Sequence, residues 1–251
     1  MIAHAVHTAT PPQRARAALA AHPPHGTSIP PQSVRPAPPA IRVTERLATP
    51  VPYADGLLLQ ESAADRLVAG TDHGTLILLE HEAVYTAGRR SDPSDFPVDG
   101  TPVVPVNRGG KVTWHGPGQL VGYPVVRLAT GVGVVDCVRV LEGALLETAA
   151  AFGVTGIRID GRAGAWAAPA PGIAPVKFGQ VGIHASAGII THGVALNCSN
   201  SLDPFANFVP CGITDAGVST LSELAGRTIT PADAAPHLRS ALLRALEGIT
   251  A

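Results

Sequence analysis

The amino-acid sequence predicts a mixed α/β or α+β sandwich. The chain has 251 residues, 45% of them hydrophobic, enough for one large core or two small ones. Strand-like segments outnumber helical ones. The helical segments fall between groups of strands instead of alternating with them one by one, which argues against a strictly parallel sheet. No unit of about 20–50 residues repeats, so solenoid and propeller architectures are excluded.

In chain order, the first helix is expected over Tyr53 to Ala69, with Leu57, Leu58, Ala64, Leu67 and Val68 as its apolar stripe. "TLILLEH" (75–81) reads as a buried strand and "VYTAG" (84–88) as a short one ending in glycine. "SDPSDFPVDGTP" (91–102) is dense in turn formers and reads as a loop. Strands follow at "VVPV" (103–106), "KVTWH" (111–115) and "LVGYPVVRL" (120–128). A second helix is expected over Val134 to Phe152, with Val134, Val138, Leu141, Leu145, Ala149 and Phe152 turned inward and Cys137 a small buried residue. "GAWAA" (164–168) and "VKFGQVGIH" (176–184) read as strands joined by the "PAPGIAP" loop, and "IITHGVALN" (189–197) as a third. The last helix is signalled by Thr230 as N-cap, Pro231 at the first position and Asp233 in the first turn, with Leu238, Leu242, Ala245 and Leu246 as its apolar face.

Charge divides the chain. Residues 1–44 hold four arginines, no acid and nine prolines, and are expected to be a disordered Pro/Ala-rich tail. The prolines argue against the amphipathic helix of a transit peptide, and the secretory order of a basic then an apolar stretch is absent. Residues 45–251 are expected to form a single domain; they carry fourteen basic and nineteen acidic residues, net −5. No basic stripe points to nucleic acid, and no apolar run of about eighteen residues points to a membrane span. Three cysteines (Cys137, Cys198, Cys211) without C-x-x-C spacing form neither a disulfide framework nor a zinc ribbon, so a cytoplasmic location with free thiols is expected.

Three stretches are rich in chemistry. "NRGGKVTWHGPGQLVGYP" (107–124) surrounds Arg108, His115 and Gln119 with glycines, which allow close backbone approach to a ligand. It lacks the glycine spacing of the nucleotide fingerprints. "VPCGI" (209–213) sets Cys211 on a sharp turn, where a thiol is accessible. A free thiol has a pKa of about 8.5, so a neighbouring base or cation would raise its thiolate fraction. Candidate partners are His115, His192 and Lys177. A His/Cys metal site from His81, His115, His192 and Cys211 lacks close ligand spacing, so no metal is expected. Of eighteen basic residues only Lys111 and Lys177 are lysines. Lysine can act as a base where arginine effectively cannot, which makes Lys177 in "APVKFGQVG" a candidate.

"EHEAVYTAGRR", "RGGKVTWHGPGQLVGYP", the lysine of "KFGQVG", "THGVALN" and "PCGI" occur in this order over roughly residues 45–225. Together they resemble the lipoyl(octanoyl) transferases, which move an octanoyl group from acyl carrier protein to a protein lysine. The resemblance implies a mixed β-sheet flanked by helices with a smaller second sheet, a fold shared with biotin and lipoate protein ligases. It implies that 45–251 is one acyltransferase domain. It implies Cys211 as the acyl-thioester nucleophile and Lys177 as the residue that lowers its pKa. It places substrate binding on Arg108, Gly109, Gly110, Lys111, Val112, Thr113, Trp114 and His115, on Gln180, Val181 and Gly182, and on Gly193, Val194 and Ala195. It implies no cofactor of the enzyme's own, the substrate carrying phosphopantetheine on acyl carrier protein. The implied partners are the octanoyl carrier, lipoyl domains of 2-oxoacid dehydrogenase complexes and the glycine cleavage H protein. The chain departs from the family at Phe178, Gly179 and Gln180, where Ile, Ala and a small residue are usual.

On this reading Lys177 helps deprotonate Cys211, and backbone N–H groups near Gly212 or from 180–182 hold the oxyanion. Val181, Val194 and Leu196 are expected to line an acyl groove, and Arg89, Arg90 and Arg108 to contact the acidic carrier or its phosphopantetheine. The alternatives are an ATP-dependent lipoate or biotin ligase, an inactive acyl-carrier-binding protein and a cysteine peptidase. The first would run RRxSGGGxVxHD where this chain has His-Gly-Pro-Gly, and the last lacks a Cys–His–Asn pattern.

Overall fold

The computed structural model of the chain describes residues 40–98, 100–168, 172–208 and 216–251. The tail expected over 1–44 lies outside them up to residue 39, as do Cys211, Gly212 and the rest of 209–215, and part of the "PAPGIAP" loop. The elements are β1 (Arg42–Val51), α1 (Tyr53–Val68), β2 (Thr75–His81), β3 (Val84–Ala87), β4 (Val103–Pro105), β5 (Val112–His115), β6 (Gln119–Arg127) and α2 (Val134–Ala150). They continue with β7 (Ile157–Ile159), β8 (Arg162–Ala167), β9 (Val176–Ser186), β10 (Ile189–Asn197), α3 (Asp203–Ala206), β11 (Gly217–Val218), α4 (Leu221–Ala225) and α5 (Pro231–Glu247).

The main sheet runs β1-β2-β6-β10-β9-β8-β7, with β11 added on β9, and the small sheet runs β4-β3-β5. Only β1–β2 and β11–β9 are parallel in the main sheet, so the sheet is mixed, as expected. Its two faces follow from strand alternation. Leu76 and Leu78 of β2 pack with Leu120, Leu141, Leu145, Leu238 and Leu242 under α2 and α5. Ile77 and Leu79 pack with Ala63, Leu67, Val121 and Val125 under α1. The small sheet has its own cluster of Tyr85, Val112, Trp114, Phe205 and Phe208.

The expected face of α1 is rotated. Its inner face is Tyr53, Gly56, Gln60, Ala63 and Leu67, while Leu58 and Val68 are exposed. There a run of adjacent aliphatics hides the true phase, because small and polar side chains fill the close approach to the sheet. The expected face of α2 holds: Leu141, Leu145 and Ala149 are buried with Cys137, Val138 and Phe152 pack against them, and only Val134 at the first turn is exposed. Helix α5 also begins as expected: Thr230 Oγ1 accepts from Asp233 N, and the Asp233 carboxylate accepts from Thr230 N. Such a reciprocal cap satisfies two otherwise orphaned donors.

The β8–β9 ladder slips by one residue. Trp166 pairs with Lys177 and Ala165 with Gly179, so Phe178 is an extra residue on β9. Phe178 and the position of a Gly179 Cβ both turn toward the α2 side, the latter onto Leu145. In a regular strand Lys177 and Gln180 would point to opposite faces. The bulge brings them to the same one, as bulges beside functional sites commonly do.

Candidate active site

Between the α1-side face of the main sheet and the small sheet lies a cavity of about 280 Å³. Lys177, Gln180 and Gly182 of β9, Ala195 of β10 and Tyr123 of β6 line it from the main sheet, and Thr113 and His115 of β5 from the small one. Lys177 is buried, with its Nζ 5.2 Å from the centroid of the Trp166 ring. Its backbone is held on both sides: β8 pairs it with Trp166, β11 pairs it with Val218, and Ser219 N donates to its carbonyl at 3.0 Å. Gln180 is buried beside it, and its Oε1 has no hydrogen-bond partner among the described residues.

The turn 108–111 joins the two sheets. Arg108 Nη2 donates to Thr86 O at 2.9 Å and Thr86 Oγ1 at 2.8 Å, and Nη1 donates to Gly109 O at 3.0 Å and Lys111 O at 2.9 Å. Gly109 N donates to Ile183 O of β9 at 2.9 Å. Gly88 is needed where this guanidinium passes: a Cβ there would lie 2.4 Å from Gly110 O and 2.6 Å from Arg108 Nη1. Lys111 reaches outward, donating from Nζ to the buried Asp95 carboxylate at 2.8 Å.

The histidines around the cavity are neutral, and their tautomers follow from their partners. Gln119 Nε2 donates to Trp114 O at 3.2 Å and Asn197 Oδ1 at 2.9 Å, so its Oε1 faces His115 and accepts from Nδ1–H at 2.8 Å. His115 therefore carries its proton on Nδ1. Asn197 Nδ2 donates on to Ser219 O at 3.0 Å, so a buried chain of hydrogen bonds links His115 to the residue bonded to Lys177. Burial first, then the neighbouring His81 and Arg108, depresses the His115 pKa to about 3. Burial and Arg108 depress that of His192 to about 4. His81 is also lowered by burial; its Nδ1–H donates to Val51 O, and Tyr123 O–H donates to its Nε2. Both His81 nitrogens are thereby committed. Among the described residues no group of three or more His, Cys, Asp or Glu is placed to hold a metal. His192 has φ 58°, a left-handed conformation strained for a non-glycine residue. It is held by its N–H donating to Gln60 Oε1 at 2.6 Å and by Nε2–H donating to Asn107 Oδ1 at 2.6 Å.

The family model of the lipoyl protein ligase A/B catalytic domain matches residues 52–243. The chain belongs to that family. An octanoyltransferase from Clavibacter sepedonicus is 52% identical over 209 residues, covering 82% of this chain and 90% of that one. One from Mycolicibacterium smegmatis is 47% identical over 204 residues, covering 81% and 88%. Within the lipoyl protein ligase A/B family these relatives mark the chain as an acyltransferase. A bi-partite lipoate protein ligase from Thermoplasma acidophilum has a TM-score of 0.59 at 11% identity, covering 83% of this chain and 84% of that one. Lipoate-protein ligase A bound with ATP has a TM-score of 0.50 at 14% identity, covering 83% and 85%. At such identities the likeness is one of fold.

Not every residue carried over from the family's motifs reaches the cavity. Arg108, Gly110, Lys111, Thr113 and His115 line it. Val112 and Trp114 turn the other way, into the small sheet's cluster, because β5 alternates. Gly109 is engaged through its backbone with β9. Gln180, Val181 and Gly182 line the cavity, as do Gly193, Val194 and Ala195. Leu196, expected in the acyl groove, is instead fully buried in the core under α2 and α5. Arg108, expected to meet the carrier, is buried with its guanidinium on backbone carbonyls, whereas Arg89 and Arg90 are exposed and Arg90 lines the cavity mouth. Tyr53 and Arg162 also line it and carry no motif signal, and Tyr123, inside the quoted glycine-rich stretch but not singled out there, lines it too.

Proposed function

We propose that the chain transfers an octanoyl group from acyl carrier protein to a lysine of a lipoyl domain through a thioester on Cys211. Lys177, as a neutral amine, accepts the Cys211 thiol proton. The thiolate attacks the carrier thioester carbonyl, the carrier C–S bond breaks, and Lys177 returns the proton to the departing thiolate. The acceptor ε-amine then attacks the acyl-enzyme, Lys177 takes its proton, the amide forms and Cys211 is released. Backbone N–H groups of 180–182 or Gly212 stabilise the oxyanion.

The observation that carries this is the place of Lys177. It is buried in a cavity wall, and β11, which begins six residues after Cys211, pairs directly with it. Family membership and the octanoyltransferase relatives supply the acyl group and the lipoyl acceptor. The neutral histidines add no charge of their own to the inner wall, and the Arg108 guanidinium is turned to backbone carbonyls, which suits an alkyl chain. Six buried methylenes contribute at most about 5 kcal/mol to donor binding, at ~0.8 kcal/mol each. Arg89 and Arg90 at the mouth suit an acidic carrier. Mass spectrometry after mixing with octanoyl-carrier, without ATP, tests the reading. A mass gain of one octanoyl group that disappears in Cys211→Ala is expected. An adduct that survives that substitution, or transfer that requires ATP, refutes it.

A further inference from the structure

We propose that Glu142 is a positioning residue for Lys177, acting through the backbone of Gly164; this rests on the role of Lys177 given above. Glu142 lies on the inner face of α2 and is fully buried. Its neighbours on that face are Leu141 and Leu145, and an aliphatic side chain would pack there without the desolvation cost of a carboxylate. The fold instead supplies Glu142 with partners. Arg139 Nη1 donates to Oε2 at 2.9 Å and Arg158 Nε lies 3.3 Å from the same oxygen. The other oxygen, Oε1, accepts from Gly164 N at 2.9 Å.

Gly164 sits at φ 125°, a conformation that residues with a Cβ rarely adopt. A Cβ at Gly164 would lie 2.5 Å from Lys177 Cε, 3.2 Å from Nζ and 2.4 Å from Gly179 O. The lysine stem therefore rests on the bare Cα of Gly164. This is also where the β8–β9 ladder slips, with the last regular pair at Ala165–Gly179. Gly164 has no Cα partner on β9, and its N–H is held by the carboxylate of α2. Turning the 163–164 peptide would remove the surface on which the Lys177 stem lies.

The chain has only two lysines, Lys111 and Lys177, so lysine labelled with ¹³C at Cε gives two side-chain signals in the full-length protein. In Glu142→Leu the Lys177 signal should shift while that of Lys111 stays, kcat for transfer should fall at least about ten-fold, and KM for the octanoyl carrier should change less than about two-fold. Glu142→Gln keeps a carbonyl oxygen for Gly164 N and should recover kcat to within about three-fold of wild type. An unmoved Lys177 signal, or a glutamine variant as impaired as the leucine one, overturns the proposal. Because the leucine variant risks unfolding, the wild-type protein supplies a second measurement. Gly164 N–H should exchange slowly with solvent, and rapid exchange overturns the proposal equally. Lys177→Ala, run in parallel, separates the two readings. If that variant turns over normally, the role of Lys177 as base is wrong, while the lysine signal still reports whether Glu142 positions the side chain.

Discussion

Arg108, in the turn that joins the two sheets, and Lys177, on β9, line the same cavity, and their surroundings are opposite. The arginine is clamped by four hydrogen bonds to Thr86, Gly109 and Lys111, so its charge is turned to the backbone. Around it the histidines are neutral, His115 with a pKa of about 3 and His192 of about 4. On the β9 wall the backbone of Lys177 is fixed by β8 and β11, and its side chain lies over a glycine and beside an indole. One wall uses its cation to hold the two sheets together. The other presents the side chain to which the proposed mechanism assigns the proton transfer.

The contrast predicts different penalties on the two walls. Arg108→Met leaves buried carbonyls without donors and should cost about 3 kcal/mol of stability, read by urea unfolding. If stability holds and only KM for the carrier rises, Arg108 is a substrate contact and the contrast collapses. Gln119→Leu strands His115 Nδ1–H, Trp114 O and Asn197 Oδ1, and should cost about 2 kcal/mol. In histidine ¹⁵N spectra it should also release His115 from a single tautomer.

Acid should act on the same wall. Above pH about 6.5 neither the folded nor the unfolded chain binds the proton of His115 or His192. As pH falls below that value the unfolded chain takes it up and the folded chain does not, until about 3 for His115 and about 4 for His192. Stability is therefore lost as pH falls through this window, by up to about 2 kcal/mol for each histidine between pH 6.5 and 5. His115→Gln should flatten the dependence, and an unchanged slope would show that His115 titrates normally. The smallest effect belongs to the other lysine. Lys111→Met removes a partly exposed ion pair with Asp95 and should change stability by less than about 1 kcal/mol.

Much of this arrangement was legible in the sequence. β2 and β10 match their apolar runs, α1 and α5 begin where their signals place them, and the glycine-rich stretch and the "KFGQVG" lysine do meet at one cavity. β1 was not legible: it is an edge strand with exposed or half-exposed residues throughout, so no alternation marks it. It begins at Arg42, inside the stretch expected as tail. β7, β11 and α3 are too short to show a period. The bulge at Phe178 is a tertiary feature, because nothing local distinguishes a slipped ladder from a regular one. The surroundings of Arg108 were hidden for a similar reason: composition reveals a cation but not the carbonyls that surround it.

The most direct measurement is the rate of octanoyl labelling of Cys211 in a single turnover, wild type against Lys177→Arg. A base at 177 requires labelling to slow by about a hundred-fold or more in the arginine variant. An unchanged burst would show that a fixed positive charge suffices there, and that Lys177 does not move the proton.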